Sequence, residues 1–525
     1  MIPRGSVALV LHAHLPFVRH PESDSSFEER WLFEAVTETY LPLLDLLEAL
    51  ERDRLDVGLT ISISPTLLAM LTDRLLRARY LVHLDALVQL SEREERRTRA
   101  EPRWHRCAAL YLHRLTRIRS RLLDHWRQDV AGAFRAFQER GRIEIFTTAA
   151  THAILPLLAS TPEWVQAQIR IGMGEYRRYF GRPSAGFWLP ECAYDPALDV
   201  DLARAGVRWV VVDTHGLTHA SPQPVYGAYA PVVSPAGVAA FARDPDSATQ
   251  VWSAEVGYPA DPWYRDFHRD IGFDLPAAWL HPLIPEDQRT PTGLKYHRIT
   301  GDTWNKEPYE PDRAAERVAA HAAHFVQSRV AQVDWLCRTM DRPPVIVCPY
   351  DAELFGHWWF EGVEWLEAVL RRIAATPGLA TTTLSAEIDR HPVLQRAMPA
   401  ASTWGSEGHH AVWLSRENEW IYPHLHATAE RLTRLCRTSR RAFGPPARAL
   451  GQAVREMLLA QGSDWAFMMA RHTGADYATR RTVEHLRACQ QLCDAVEAGV
   501  IDEIARVALE ERDALFPVLD FGMLD

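Results

Sequence analysis

The sequence predicts an α/β protein: a parallel sheet wrapped by helices and rolled into a barrel, with its reactive groups at the C-terminal ends of the strands. Three observations carry this. Short, almost uninterrupted apolar runs recur along the chain, as buried parallel strands do. Most of them end in polar residues with chemistry to offer. Helically periodic stretches separate them. An open doubly wound sheet is the competing architecture, and it puts the site at the same strand ends.

In chain order, Val7-Ala-Leu-Val-Leu-His12-Ala-His14 is the first such run, and Val57-Gly-Leu-Thr-Ile-Ser-Ile-Ser64 before Pro65 is the second. Residues 67–137 then break the alternation with a long, arginine-rich, helically periodic stretch, read as a helical insertion. Its charge run 92–97 is expected to be a solvated face. Strand patterns resume at 143–148, 186–191 and 207–215, and again at 345–351. The Pro- and Gly-containing stretches 221–237 and 261–293 read as long connections forming lids or substrate walls. From 415 onward the pattern is helical, with 427–436, 447–459 and 482–498 the clearest stretches. The expected organisation is a barrel from 1–66 and 141–400, an insertion at 67–140 and a helical C-terminal domain at 401–525.

Composition prunes the functions. A chain of 525 residues with a formal charge of -10 lacks the basic footprint that nucleic acid or an anionic membrane demands. No apolar run reaches the roughly 20 residues of a spanning helix, and the opening apolar stretch is too short for a signal peptide. The expectation is a cytoplasmic protein. Seven cysteines without a CxxC pattern read as buried free thiols. Only Lys295 and Lys306 are lysines, and neither stands in a Gly-Lys-Ser/Thr context; GxGxxG, HExxH and GxSxG are also missing. Instead, 18 tryptophans, 15 tyrosines and 23 histidines offer surfaces that suit sugars as well as a large core.

Two carboxylates stand out. Glu191 follows a strand in Trp188-Leu-Pro-Glu-Cys-Ala-Tyr194, and Asp351 follows another in Pro349-Tyr-Asp-Ala-Glu-Leu-Phe-Gly-His-Trp-Trp359. A pair of carboxylates on separate strand ends, flanked by aromatics, is what glycoside chemistry uses: one attacks the anomeric carbon and the other protonates the leaving oxygen. The plain alternative is that each caps a helix or pairs with an arginine. His12 and His14, two residues apart on a strand, point to one side, and His152 follows a third strand. Such a cluster either ligates zinc or hydrogen-bonds sugar hydroxyls, and His14 is as well explained by a bond inside the barrel. Trp404 and Trp413 lie in a glycine-interrupted segment that would expose flat apolar faces for pyranose rings, with interdomain packing as the alternative. Asp464 lies beside a helix end, where capping is its alternative role.

Taken together, His12-Ala-His-Leu-Pro16, Gly141-Arg-Ile-Glu-Ile145 with Thr151-His152, the Glu191 and Asp351 segments, and 404–413 resemble in order the motifs of glycoside hydrolase family 57. The resemblance spans nearly the whole chain. Its length and helical end are similar to the α-1,4-glucan branching enzyme subgroup. The resemblance implies a (β/α)7 barrel, an incomplete relative of the eight-stranded barrel, and a retaining mechanism without a metal or other cofactor. It implies Glu191 as nucleophile and Asp351 as general acid/base, with His12, His152, Arg269, Trp404, Trp413 and Asp464 lining the site. One stretch departs from the subgroup: Ser23-Asp-Ser-Ser-Phe-Glu-Glu29 stands where Trp-Pro-Phe-Gly-Glu is usual, so altered acceptor binding or chain-length preference is expected.

The expected function is cleavage of an α-1,4 bond in amylose or glycogen and transfer of the chain to a 6-hydroxyl. An α-amylase or 4-α-glucanotransferase on the same scaffold is the near alternative. A zinc-dependent deacetylase or mannosidase-like enzyme using the histidines is the remote one.

Overall fold

The structure, a computed structural model, describes residues 3–24, 26–253, 255–284 and 289–524. Ten strands are found among them: β1 Gly5–Ala13, β2 Leu59–Ile63, β3 Glu144–Thr148, β4 Gly186–Trp188, β5 Trp209–Val212, β6 Val232–Val233, β7 Ala239–Ala242, β8 Val345–Asp351, β9 Leu379–Thr381 and β10 Gln395–Arg396. Strands β7-β5-β4-β3-β2-β1-β8 hydrogen-bond side by side, every pair parallel. A parallel bridge from Arg243 to Val347 joins the two outer members and closes the ring. Seven parallel strands in sequence order are the barrel the resemblance implies, and the open-sheet alternative falls away. β6 and β10 extend the wall beyond β7, and β9 pairs with β1.

Burial on both faces explains why the runs are continuous rather than alternating. In β1, Val7, Leu9 and Leu11 pack outward into the main core, whereas Ala8 and Val10 join Phe146, Trp188, Trp209 and Phe241 in a separate cluster that fills the lumen. Trp188 and Trp209 are fully buried there. Each removes roughly 200 Å² from water, worth about 5 kcal/mol at 25 cal/mol per Å².

Between β2 and β3 run the helices Arg74–Arg97 and Pro102–Ser120, capped at their start by Asp73 and by Pro102 in the first turn. The charge run 92–97 is not wholly solvated. Glu94 is fully buried, accepts two bonds from Arg97 at 2.8 and 2.7 Å, and takes the indole N–H of Trp279 at 2.7 Å. A chain segment folded back over one turn of the helix has turned a solvent face into a contact. Trp279 belongs to the stretch 261–293, which carries two short helices and of which residues 285–288 lie outside the described residues. The C-terminal region is helical, from Ile421–Thr438 through Pro445–Ala460, Ser463–Arg471 and Ala475–Ala498 to Glu503–Arg512. None of the seven cysteines is in a disulfide, and six of them are buried. No described helix is long and apolar enough to cross a membrane.

Candidate active site

β1 ends with His12 pointing into the mouth of the barrel. Its Nδ1 is bonded to Ser62 Oγ on β2 at 3.1 Å and its Nε2 to His152 Nε2 at 2.9 Å. His152 is in turn tied through Nδ1 to Ser463 Oγ at 2.8 Å. Burial, followed by the charge of His14, holds both rings well below the ordinary imidazole range, so they are neutral, and one donates to the other.

His14 behaves differently. Its Nδ1 meets Ser64 Oγ at 2.9 Å, and its Nε2 lies 3.1 Å from both oxygens of Asp464. Burial opposes its charge, but Asp464, Glu353 and Glu191 together outweigh burial and raise its pKa. Ser64 also caps the helix Pro65–Thr72 by accepting from Leu67 N, so one hydroxyl starts a helix and orients a site ring. Asp464 lies in the first turn of Ser463–Arg471, yet its side chain takes His14 instead of capping.

Glu191 follows β4 in a turn whose backbone is left-handed at Glu191 (φ 59) and Cys192 (φ 52). Such conformations cost non-glycine residues about a kcal/mol or more each and concentrate at functional sites. The segment 402–404, more than 200 residues away, zips onto this turn. Ser402 and Tyr194 exchange backbone bonds of 2.8 and 3.0 Å, and Trp404 N donates to Glu191 O at 3.0 Å. The pairing delivers the Trp404 indole, whose Nε1–H donates to Glu191 Oε2 at 2.5 Å. Behind it, Trp188 meets Trp404 edge-on at 5.1 Å.

Asp351 ends β8, opposite His12 in the strand register. It precedes a short 3-10 turn but does not cap it. Burial, then the charges of Glu191 and Glu353, push its pKa well up, against the pull of Arg243. Glu191 rises to about 7, by burial first, with the Trp404 bond and His14 opposing. The two carboxyls therefore share one field, and both are held above the ordinary carboxylate range. Glu353, also at about 7 through burial, accepts from the Tyr40 hydroxyl and from His14 N.

Of the sequence candidates, the barrel mouth gathers Glu191, Asp351, His12, His152, Trp404 and Asp464. Trp413 is placed differently, 2% exposed and packed on the Cα face of Gly405, where a Cβ would lie 2.6 Å from its ring. The indole is an interior prop for the Trp404 segment, not an open platform. Arg269 is tied within its own loop to Asp274 at 2.5 Å, with Trp304 beside its guanidinium. The arginine whose charge acts on Asp351 is Arg243, directly after β7. Sequence reasoning did not single out Ser62, Ser64, Tyr40, Glu353 or Arg243. The signal for the serines was present, because they end a strand run at the same spacing as His12 and His14. In place of the missing Trp-Pro-Phe-Gly-Glu stretch, Phe27 is 43% exposed and lies edge-on to Trp31.

Two groups of possible metal donors lie within 4.8 Å of one another among the described residues: His14, His152 and Asp464, and Glu456, His485 and Asp513. The second is fully buried and compensated by Arg481 and Arg512, at 3.2 and 2.7 Å from Asp513. The first lies at the barrel mouth, with its donors already engaged by one another and by the serines.

Residues 8–399 match the model of glycosyl hydrolase family 57, and residues 424–523 match that of the 1,4-alpha-glucan branching enzyme C-terminal domain. A 1,4-alpha-glucan branching enzyme of Thermococcus kodakarensis is 32% identical, over 98% of this chain and 77% of its own. Among solved structures, alpha-amylase AmyC of Thermotoga maritima is 42% identical with a TM-score of 0.93, covering 99% of each chain. The branching enzyme of Pyrococcus horikoshii is 32% identical with a TM-score of 0.88, covering 99% of this chain and 97% of its own. A closed seven-stranded barrel with paired carboxylates at its mouth, carried on a sequence matched along nearly its whole length, shows that the chain belongs to glycosyl hydrolase family 57.

Proposed function

We propose that the protein is a 1,4-α-glucan branching enzyme working by retaining double displacement, with Glu191 as nucleophile and Asp351 as general acid/base. The observation that carries the chemistry is the pair of carboxyls at the barrel mouth: Glu191, gripped by an indole N–H, and Asp351, held well above the ordinary carboxylate range by burial and then by the charge of Glu191. In the first half, Glu191 Oε attacks the anomeric carbon, the glycosidic bond breaks, and the leaving oxygen takes the Asp351 proton. In the second, an acceptor 6-hydroxyl gives its proton to Asp351, its oxygen attacks the same carbon, and the ester electron pair returns to Glu191. The branch is an α-1,6 bond. His12, His152, Trp404 and Asp464 bind the glucan, with Trp413 supporting from beneath and Arg269 belonging to the outer loop.

The C-terminal match to branching enzymes supports transfer over hydrolysis. We place the barrel in 1–66 and 141–400, the insertion in 67–140 and the helical domain in 401–525. Seven cysteines without a disulfide fit a cytoplasmic enzyme of glycogen synthesis. The likeness to AmyC favours a second reading, hydrolysis on the same site. Incubation with amylose separates them, following iodine stain, reducing ends and the α-1,6 proton NMR signal together. Falling stain with new α-1,6 signal and few reducing ends is expected; rising reducing ends without α-1,6 signal would make the protein an amylase.

A further inference from the structure

Arg243 follows β7 directly, at the point where the barrel closes. Its N–H donates to Val212 O at 3.0 Å, and the next N–H, of Asp244, donates to Val347 O at 2.8 Å, so the backbone is held from both neighbouring strands. The guanidinium is largely enclosed. It reaches Asp213 Oδ2 at 3.4 Å, while the other oxygen of Asp213 is held by His215 Nδ1 at 3.0 Å. Its Nε is buried without a partner. A buried cation with one long hydrogen bond is costly to keep, and a hydrophobic residue would fill the place more cheaply. Its surroundings give the reason. The guanidinium carbon lies 5.3 Å from the centre of the Trp404 ring, whose N–H grips Glu191. Its charge acts on Asp351 at the end of β8 and on Cys192 in the β4 turn. The other groups that share a field with Asp351 are Glu191, Glu353, Tyr40 and Cys192, none of them cationic.

We propose that Arg243 is a positioning residue: pinned by Asp213, it holds the Trp404 indole in the orientation that grips the nucleophile, and its charge keeps Asp351 able to release its proton. This rests on the roles given to Glu191 and Asp351. In the first half-reaction a proton-holding Asp351 is useful; in the second it must begin deprotonated to take the acceptor proton. In the second half Glu191 is esterified and uncharged, so the charges left acting on Asp351 are Glu353, which holds its proton on, and Arg243, which draws it off. Arg243 is what keeps the acid usable as a base.

The test is a pH–rate profile of glucan turnover for the wild type, Arg243→Gln and Arg243→Lys. An opposite charge at close range shifts a carboxyl by about one unit or more. Arg243→Gln is therefore expected to move the alkaline limb up by about one pH unit and to lower kcat at neutral pH about tenfold, with KM changed little. Arg243→Lys keeps the charge but not the flat face over the indole, so the alkaline limb returns to its wild-type place while kcat stays depressed. An unmoved limb and unchanged kcat in Arg243→Gln would overturn the proposal, and so would a rise in KM alone. Should that variant fail to fold, Arg243→Lys carries the test: wild-type kcat in it would overturn the holding of the indole. Failure of the underlying reading looks different, because Asp351→Ala would then turn over normally with its alkaline limb intact.

Discussion

Replacing Trp404 by Phe removes one hydrogen bond and keeps the ring. The bond is 2.5 Å from an indole N–H to a carboxylate oxygen of Glu191. Bonds to charged groups contribute about 1.5–3 kcal/mol, or about one to two pKa units at 1.36 kcal/mol each. Glu191 already stands at about 7 because burial raises it and the Trp404 bond restrains the rise. Without the bond its pKa moves further up, and the ionised fraction near neutrality falls about 5- to 50-fold. The edge contact with Trp188 and the cation above the ring survive in Phe. The assay is the pH dependence of kcat/KM on amylose: the acid limb is expected to move up by about one to two units, with activity recovering at alkaline pH. A limb that stays in place, with neutral activity within about twofold of wild type, would refute the idea that the indole sets the charge of Glu191.

Other expectations follow from the same geometry. Glu191→Gln removes turnover while glucan binding survives, and it also stabilises the fold at neutral pH. The folded protein holds the Glu191 proton more tightly than the unfolded chain, at about 7 against 4.5, so stability falls as pH rises from 4.5 to about 7. Removing the carboxyl recovers about 3 kcal/mol at most above that window and nothing near pH 4.5, readable as Tm against pH. Trp413→Ala is expected to cost about 3–5 kcal/mol of stability as a buried ring rather than to raise KM selectively, checked by denaturant unfolding beside kinetics. Chelators are expected to leave activity intact, whereas added Zn²⁺ inhibits through His14, His152 and Asp464. An Asp464→Asn variant would then resist the metal in inhibition and calorimetric binding.

How far the sequence reaches is visible strand by strand. Six barrel strands announced themselves as apolar runs rich in Val, Ile or aromatic residues. The seventh, Ala239–Ala242, reads Ala-Ala-Phe-Ala and has little intrinsic strand preference; the sheet imposes its conformation. Arg243 was hidden with it. Glu191 and Asp351 were legible because each ends a strand among aromatics. The contact that tunes Glu191 was not, since it depends on 402–404 pairing with 191–194 across the fold. Trp404 and Trp413 looked alike in sequence, and only packing against Gly405 separates the working indole from the prop. The charge run 92–97 was misread for a related reason: periodicity describes one helix and says nothing of Trp279 arriving over Glu94.

The most direct test of the central claim is to catch the sugar on the enzyme. In Asp351→Ala, a maltooligosaccharide with fluoride at its reducing end needs no acid to depart, but the second half lacks its base, so the glycosyl-enzyme should accumulate. Intact-protein mass spectrometry followed by peptide mapping is expected to show one glucan ester on the peptide containing Glu191. No adduct, or an adduct on another residue, would contradict the account.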